Sequence, residues 1–325
     1  MLYEGKVYKK MIEAKGIMRW IWSVIRRLII IMRNDPVCIM EIHGRLLKIP
    51  LSHSLPVYLY NFKFYDRLPK RLADFIRLKE NFLCCIDVGA NIGDTIASFY
   101  KLESDKYLAI EPNPKYSELL ISNWSWNPNV KVITEICSDK NGTDQFKVLA
   151  RNGTASIVPA RGGFNMKRRT LDNLLQEHSF AKNANIIKID TDGHDFEVIR
   201  GSIDLIARNH LAVLFECDVF GNINYFEDCL RTLRIFESLG YKHMIIYDNY
   251  GVLMGRHSLS ELNSFRSLLY YQLTGNFYYF DILIMRNDEI NEFYKLEIEY
   301  FRDNISDQIL RKAAHNAIQF IENVS

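Results

Sequence analysis

The chain has 325 residues, which is enough for one large domain with an appendage or for two smaller domains. Its composition, 48% hydrophobic and 25% charged, is typical of a soluble globular protein. The net charge of +2 does not require a nucleic-acid partner, and we predict none. The six cysteines form no C-x-x-C pair. We therefore expect buried, reduced thiols in a cytoplasmic protein without a secretory signal peptide.

Residues 1–35 are predicted to form a basic amphipathic helix. Its apolar segment, residues 11–32, is interrupted by Arg19, Arg26 and Arg27, and this is too much charge for a bilayer-spanning helix. Two interpretations remain open. Either the helix lies at the inner face of a membrane as a peripheral contact, or it packs on the rest of the protein or on a second copy in a homo-oligomer.

Residues 36–80 are predicted to form a cap ahead of the main domain. Residues 37–49 have the pattern of a hairpin that turns at His43 and Gly44. The aromatic stretch at residues 58–65 either lines a substrate cleft or packs the cap onto a core. An amphipathic helix at residues 68–81 then leads into the main domain.

The main domain, residues 81–287, opens with a strand, a glycine turn, a helix and a second strand. Residues 83–88 form an apolar run typical of a strand buried on both faces. The second strand, residues 107–110, ends on Glu111 and is stopped by Pro112. This order indicates the first βαβ unit of a nucleotide-binding α/β domain.

The turn and the acids at the strand ends indicate the cofactor. The turn reads G-x-N-x-G and contains Gly89, Asn91 and Gly93. Its glycines let the backbone pass close to a ligand, Glu111 can accept both hydroxyls of a ribose, and Asp87 can face a positive charge. A pyrophosphate needs the central glycine of G-x-G-x-x-G, which is missing here. The pattern therefore favours S-adenosylmethionine over NAD.

The rest of the domain is predicted to continue the alternation of strands and helices. Ser138 and Asp139 follow a third strand at residues 130–136, where an adenine edge would lie in such a fold. The basic, glycine-containing segment 151–169 is predicted to form a mobile loop. Further strands are predicted at residues 144–149, 185–190, 211–215, 243–248 and 278–285, and residues 288–325 are predicted to form a helical tail.

A second group of acids follows the strand at residues 185–190. The residues concerned are Asp190, Asp192, His194 and Asp195, with Glu216 at the end of the next strand. Like charges this close repel unless a cation or a bound group neutralises them. Three interpretations are open: Asp190 or His194 acts as a general base, Asp190, Asp192 and Glu216 bind a divalent cation, or the acids cap the next helix. The cation is not predicted.

Four motifs in this order resemble the FkbM family of S-adenosylmethionine-dependent methyltransferases. They are D-V-G-A-N-I-G at 87–93, E-P-N at 111–113, T-L-D-N-L-L at 170–175 and K-I-D-T-D-G-H-D-F-E-V-I-R-G at 188–201, with a further match at 279–283. The resemblance implies a class I Rossmann-like α/β fold, with a seven-stranded sheet, helices on both faces and the last strand antiparallel. The family's loop commonly reads V-E-G-x-E where this chain has T-D-G-H-D, so the resemblance assigns no role to His194.

The resemblance also implies O-methylation of a hydroxyl, which we expect on a sugar or glycan precursor for surface polysaccharide biosynthesis. The expected cofactor-binding residues are Asp87, Gly89, Asn91, Gly93, Glu111, Pro112, Ser138 and Asp139. The candidate catalytic residues are Asp190, His194, Asp192 and Lys188.

The aromatic stretch and the basic loop are expected to face the acceptor, a small molecule or a sugar linked to a nucleotide or a lipid. Two alternatives remain: an NAD-dependent sugar oxidoreductase, and a non-catalytic, membrane-docked scaffold in a glycan-assembly complex.

Overall fold

The protein is described by a computed structural model that covers residues 3–151, 154–160, 162–275 and 279–322. Helices and a hairpin form the N-terminal part: α1 (Tyr3–Glu13), α2 (Gly16–Met32), β1 (Val37–Ile42), β2 (Arg45–Pro50), α3 (Leu55–Asn61) and α4 (Leu68–Glu80). The first half of the main domain contains β3 (Cys84–Val88), α5 (Asp94–Phe99), β4 (Lys106–Ile110), α6 (Pro114–Trp124), β5 (Val130–Ile133), β6 (Ile136–Cys137), β7 (Gly142–Arg151), β8 (Thr154–Pro159) and β9 (Phe164–Arg169).

The second half of the chain alternates helices with the remaining strands. It contains α7 (Leu171–Glu177), β10 (Ile186–Ile189), α8 (Asp195–Arg200), α9 (Ile203–Asn209), β11 (Ala212–Cys217), α10 (Tyr225–Ser238), β12 (His243–Asp248), β13 (Leu253–Ser258), α11 (Asn263–Gly275), β14 (Phe280–Ile284), α12 (Asn287–Asp303) and α13 (Gln308–Glu322).

The large sheet confirms the predicted fold class. Its strand order is β13-β12-β14-β11-β10-β3-β4-β5, and β14 runs antiparallel between β11 and β12. Strands β11, β10, β3, β4 and β5 are parallel to one another. This is a Rossmann-like α/β sheet with its last strand antiparallel, as expected. It has eight strands rather than seven because β13 adds an edge strand whose short, polar sequence gave no strand signal.

Two apolar cores lie on the two faces of this sheet. One joins the sheet to the N-terminal helices, the hairpin, α5, α6 and α12, and the other joins it to α7 through α11. Cys84 and Cys85 belong to different cores because successive side chains of a strand point to opposite faces. All six cysteines of the chain lie in the described part, where they are buried and free.

The N-terminal segment forms two helices where one was expected. The chain leaves the helical conformation after Glu13 and resumes it at Gly16, whose φ of +53° is accessible to glycine at little cost. The hairpin at residues 37–50 turns at His43 and Gly44, as predicted, and both have positive φ. Among the described residues, no helix combines the length and the apolar character needed to cross a bilayer.

The predicted mobile loop at residues 151–169 is wrong for the described part of that segment. Strands β8 and β9 join β6 and β7 in a second, four-stranded sheet of order β6-β9-β7-β8. The basic side chains of β9 pair with acids on neighbouring elements, with Nζ of Lys167 at 3.0 Å from Glu135 and Nη2 of Arg168 at 2.7 Å from Asp144. Residues 152 and 153 and Arg161, part of the expected loop, lie outside the described residues.

The third predicted strand, residues 130–136, is divided between the two sheets. Strand β5 ends at Ile133, whereas Ile136 and Cys137 form β6 and pair in parallel with β9. The chain therefore leaves the large sheet before it reaches Ser138. This displacement changes the position of the predicted adenine contacts.

Candidate active site

A cavity of about 640 Å³ lies at the carboxyl ends of β3, β4 and β10. The direction of strand connection reverses between β3 and β10, and ligands of open α/β sheets bind at such a point. The cavity lining includes the segment from His53 to Tyr65, the first βαβ unit, the loop after β10, and the small sheet through Phe146 and Arg168. The end of β11 and residues near β12 and β14 also contribute to it.

The glycine turn is shaped by its protein neighbours. Gly89 has a φ of +84°, and a Cβ there would lie 1.8 Å from the carbonyl oxygen of Asp190. Gly93 has the same φ, and its Cβ would lie 2.3 Å from Nε1 of Trp124. Gly89 and Asn91 line the cavity, whereas Gly93 does not. The space that these glycines leave is therefore occupied by Asp190 and Trp124, not kept open for a ligand as the sequence interpretation assumed.

Glu111 is fixed at the cavity wall by two backbone hydrogen bonds. Asn91 N–H donates to Oε2 at 2.8 Å, and Asn113 N–H donates to Oε1 at 2.8 Å. Burial raises the pKa of Glu111 to about 7, although these two bonds favour the charged form. Pro112 also lines the cavity and begins the turn into α6, where the side chain of Asn113 caps the helix. The carboxylate is thus held in one orientation before any ligand arrives.

Asp87 lies beneath the cavity and does not line it. Its side chain is fully buried, and within the described residues neither carboxylate oxygen has a partner at ordinary hydrogen-bond geometry. Burial raises its pKa to about 6, while the positive charge of Lys188 on the adjacent strand opposes that rise and Thr95 adds a weaker stabilisation. Asp87 is therefore placed to act on Lys188 and not to contact a ligand directly.

Ser138 and Asp139 have different environments, although the sequence suggested that both would contact the adenine. Ser138 lines the cavity beside the apolar side chains of Ile136 and Phe146, and its hydroxyl donates to Oε2 of Glu197 at 3.0 Å. Asp139 does not line the cavity, because Nε of Arg200 lies 3.3 Å from its Oδ2 and holds it aside. Of the two, Ser138 alone is positioned to contact a ligand.

The four candidate catalytic residues all line the cavity: Asp190, Asp192, His194 and Lys188. The ammonium of Lys188 lies 2.8 Å from Oδ2 of Asp190. Burial disfavours its charged form, but the charges of Asp190 and Asp87 outweigh burial and raise the pKa of Lys188 well above its usual value. Lys188 is therefore a permanent cation that neutralises part of the acidic cluster.

Asp192 is held in an unusual backbone conformation by the loop around it. Its φ is +51°, and the next residue, Gly193, has no room for a Cβ because Phe220 lies 2.5 Å from that position. Burial, together with the negative charges of Asp190 and Asp195, raises the pKa of Asp192 to about 7. A carboxyl group with this pKa can accept a proton near neutral pH.

The remaining acids of the loop have structural contacts. Asp195 accepts the hydroxyl of Thr191 at 2.8 Å and the N–H of Glu216 at 3.2 Å, and so ties the loop to β11. Nδ1 of His194 lies 3.8 Å from Oε1 of Glu197. Helix α8 has no side-chain cap hydrogen bond at its first turn. Helix capping therefore does not explain the cluster.

The metal interpretation finds no support in the described residues. Asp190, Asp192 and Glu216 all line the cavity, but no group of three or more His, Cys, Asp or Glu side chains there is arranged to hold a metal ion. Burial first, and then the charge of Asp190, raises the pKa of Glu216 well above its usual range. Lys188 supplies positive charge beside these acids, with its ammonium 2.8 Å from Asp190.

His53 is a residue of the site that no sequence pattern indicated. This side chain is buried in the cavity wall, with Nε2 at 3.4 Å from Oδ1 of Asn91. Burial lowers the pKa of His53 to about 4, so the imidazole is neutral at physiological pH. Asn249, Tyr250 and Tyr279 also line the cavity.

The aromatic stretch fulfils both roles that the sequence allowed. Tyr58 and Tyr65 line the cavity, and their ring centroids are 5.2 Å apart. Phe62 instead packs on the cavity residue Tyr250, with ring centroids 4.4 Å apart, and Phe64 packs the segment onto the core through Phe301, with centroids 4.9 Å apart. From the expected basic loop, Arg168 reaches the cavity wall.

Residues 87–243 match the model of the methyltransferase FkbM domain. This part of the chain is an FkbM methyltransferase domain. The matched segment begins within β3 and includes the glycine turn, Glu111 and the acidic loop after β10, which form part of the cavity wall. The predicted family and the predicted enzyme class are therefore confirmed.

One curated relative is the hexuronic acid methyltransferase AglP of Haloferax volcanii. It is 31% identical over 118 residues, which make up 35% of this chain and 48% of the relative. The chain thus spans about half the length of the curated relative that it matches.

Two solved structures are similar at low identity. The methyltransferase FkbM from Methylobacillus flagellatus KT is 15% identical, with a TM-score of 0.37, over 51% of this chain and 40% of that one. The precorrin-6y C5,15-methyltransferase from Geobacter metallireducens GS-15 is 11% identical, with a TM-score of 0.35, over 67% of this chain and 87% of that one. The fold assignment accordingly rests on the strand order described above.

Proposed function

We propose that this chain is an S-adenosylmethionine-dependent O-methyltransferase that acts on a hydroxyl of a sugar or glycan precursor. The observation that carries the proposal is Glu111, whose carboxylate is fixed by two backbone N–H groups at the wall of a cavity in an FkbM domain. The sugar acceptor is supported by the relative that methylates a hexuronic acid. A role in surface polysaccharide biosynthesis is part of the same proposal.

The residues of the cavity fit such a cofactor. Each oxygen of Glu111 accepts one backbone N–H and keeps a second acceptor site for a ribose hydroxyl. Ile136, Phe146 and Ser138 provide an apolar wall with one hydroxyl, which suits an adenine ring. When bound, S-adenosylmethionine supplies a methyl group that is already activated on a sulfonium. The protein then has to orient a hydroxyl and accept its proton.

Asp192 is the group that we assign to accept this proton. Asp190, the stronger candidate from the sequence, is paired with the Lys188 ammonium at 2.8 Å, and the pairing weakens it as a base. Asp192 lines the same cavity, and its pKa of about 7 makes it partly deprotonated at neutral pH. Tyr58 and Tyr65 also line the cavity and offer flat apolar surfaces against which a sugar ring can pack.

Calorimetric titration with S-adenosylhomocysteine, and separately with NAD, tests the cofactor. Glu111→Gln should weaken S-adenosylhomocysteine binding by about a hundredfold, because one oxygen is replaced by an NH₂ that cannot accept a hydrogen bond. Asp139→Asn is the matched control, since this acid does not line the cavity and should bind like the wild type. Binding of NAD alone would favour the oxidoreductase, and binding of neither ligand would favour the scaffold.

The pH dependence of methyl transfer tests the proton acceptor. We expect kcat/KM to rise with pH through about 7, since Asp192 must lose its proton before it can act. Asp192→Asn should lower kcat by about a hundredfold or more and remove this limb of the profile. His194→Gln should retain it. If the limb instead persists in Asp192→Asn and disappears in His194→Gln, the assignment is wrong.

A further inference from the structure

Helix α2 exposes an unusually large apolar surface. None of its 17 residues is fully buried. Its inner side packs on the core through Trp22, Ile29 and Ile30. The opposite side, which we call the α2 outer face, consists of the exposed side chains of Ile17, Met18, Trp20, Ile21, Val24, Leu28, Ile31 and Met32. Ile17 is 74% exposed, Trp20 66% and Ile31 71%. A contiguous exposed surface of this kind marks a site of interaction.

The charges around this face are positive. Residues 14–34 contain three arginines between residues 19 and 27, Lys15 and Arg33 at the two ends, and no Asp or Glu. On the neighbouring helix α1, Lys6, Lys9 and Lys10 are exposed. Both acids of α1 are already paired. Oε1 of Glu13 lies 3.7 Å from Nζ of Lys9, and Glu4 pairs with Arg33, which leaves Lys6, Lys10 and Lys15 with Arg27 as the positive charges around the face.

The three arginines of α2 do not have the same role. Arg26 points inward, where its Nε donates to the carbonyl of Leu51 at 2.8 Å and its guanidinium lies over the ring of Tyr8. Arg19 reaches Oδ1 of Asn61 at 3.4 Å. Arg27 is exposed among the apolar residues of the outer face. Arg26 and Arg19 therefore fix the helix to the protein, whereas Arg27 is available to a partner.

We propose that the α2 outer face docks on a membrane surface that contains anionic lipids. A helix with an apolar side and a basic border lies in the interface of such a membrane, with its axis parallel to the surface. A second copy of the chain fits less well. A two-fold contact through this face would pair the patch with itself, and α2 carries Arg27 but no Asp or Glu that could pair with it in the other copy.

The inner side of α2 supports the wall of the cavity. Nη2 of Arg26 donates to the carbonyl of His53 at 3.3 Å, and Asn61, which Arg19 contacts, ends the helix that carries Tyr58. Docking thus brings the lipid surface to the helix on which the His53 part of the cavity wall rests. This arrangement suits a lipid-linked acceptor. That consequence rests on the proposed function, whereas the docking itself does not.

Flotation of the full-length chain with vesicles tests the docking. We expect the protein to float with vesicles that contain phosphatidylglycerol, to float much less with phosphatidylcholine alone, and to be released by salt. The triple variant Ile17→Ser, Trp20→Ser, Ile31→Ser should bind about a hundredfold more weakly, because three exposed apolar side chains no longer enter the interface. Its matched control is Ile223→Ser, which changes an isoleucine that is 96% exposed elsewhere on the chain.

A charge reversal separates the contribution of the basic side chains to vesicle binding from that of the apolar side chains. Arg27→Glu should reduce binding to the anionic vesicles, whereas Lys131→Glu, at an exposed lysine on β5, should have little effect. All variants should keep the melting temperature and the S-adenosylhomocysteine affinity of the wild type, so failure of docking is distinguishable from failure of the proposed function.

Three results would overturn the proposal. The first is no flotation with either vesicle, the second is equal flotation with both, and the third is an unchanged triple variant. Light scattering adds a further criterion: a wild-type dimer that the triple variant converts to a monomer would show that α2 is a protein interface instead.

Discussion

The acidic cluster makes the stability of this protein depend on pH in an unusual direction. Asp281 on β14 lies opposite Glu216 on β11, and burial, followed by the charge of Asp190, raises the pKa of Asp281 to about 8. In the unfolded chain its pKa is about 3.9. The folded protein therefore holds a proton that the unfolded chain has released. This contribution to stability is complete below about pH 4 and is lost as the pH rises through about 8.

The expected magnitude follows from these two pKa values. Between pH 6 and pH 8, the contribution of Asp281 to the free energy of unfolding falls by about 2 kcal/mol. Asp94, Glu111 and Asp192, with pKa values raised to about 7, add to the loss in the same direction. The wild type should thus lose at least about 2 kcal/mol of stability between these two pH values, which is opposite to the usual behaviour of carboxylates in ion pairs.

Urea unfolding at pH 6 and pH 8 measures this difference. Asp281→Asn cannot titrate, so its loss between the two pH values should be smaller than that of the wild type by about 2 kcal/mol. Any effect of the substitution on the free energy of unfolding that does not depend on pH is equal at both pH values and cancels in this comparison. Glu299→Gln, at an exposed carboxyl group of α12, is the control and should keep the wild-type slope. A wild-type stability that stays level or increases from pH 6 to pH 8 would refute the reasoning.

Two substitutions, each with a control, test the packing at the site and at the amino end of β4. Gly89→Ala places a Cβ 1.8 Å from the Asp190 carbonyl and should abolish S-adenosylhomocysteine binding or folding, whereas Gly44→Ala, also at positive φ but with no atom within 4 Å, should cost only about 1–2 kcal/mol in urea unfolding. Asp105→Ala should cost about 3–5 kcal/mol, because it removes the buried carboxylate that pairs with Nε and Nη2 of Arg77. Asp74→Ala removes a longer, partly exposed contact of the same arginine together with ion pairs to Lys70 and Lys101, and should cost less, about 1 kcal/mol.

The acids at the strand ends could be predicted because each of them follows a run of apolar residues. Strands buried on both faces are short apolar runs, so a carboxylate that follows one is conspicuous in the sequence. Glu111, Asp190 and Glu216 were found in this way, and all three line the cavity. Asp139 follows the same pattern. The apolar residues before it, however, belong to two strands of different sheets, because the chain leaves the large sheet after Ile133, and no residue type in the sequence indicates this break.

His53 could not be predicted because its environment is formed by distant parts of the chain. Its contact with Asn91 spans 38 residues, and its ring meets the edge of Tyr116, which is farther still along the chain. The low pKa of the imidazole is caused by burial, and no local pattern determines burial in a loop after a hairpin. A single histidine in a polar segment gives no signal of this kind.

The glycine turn shows that a sequence pattern can locate a site correctly while the reason for its glycines is a contact within the protein and not one with a ligand. Positive φ and a missing Cβ are required at Gly89, as the sequence suggested, but the neighbouring atom is the carbonyl of Asp190 at the end of β10. The close approach therefore joins the turn to the acidic loop. It places Asn91, which donates to Glu111, and the loop that carries Asp192 on the same side of the sheet. The family pattern at this turn can thus be maintained by contact between two strand ends, even where no phosphate has to be bound.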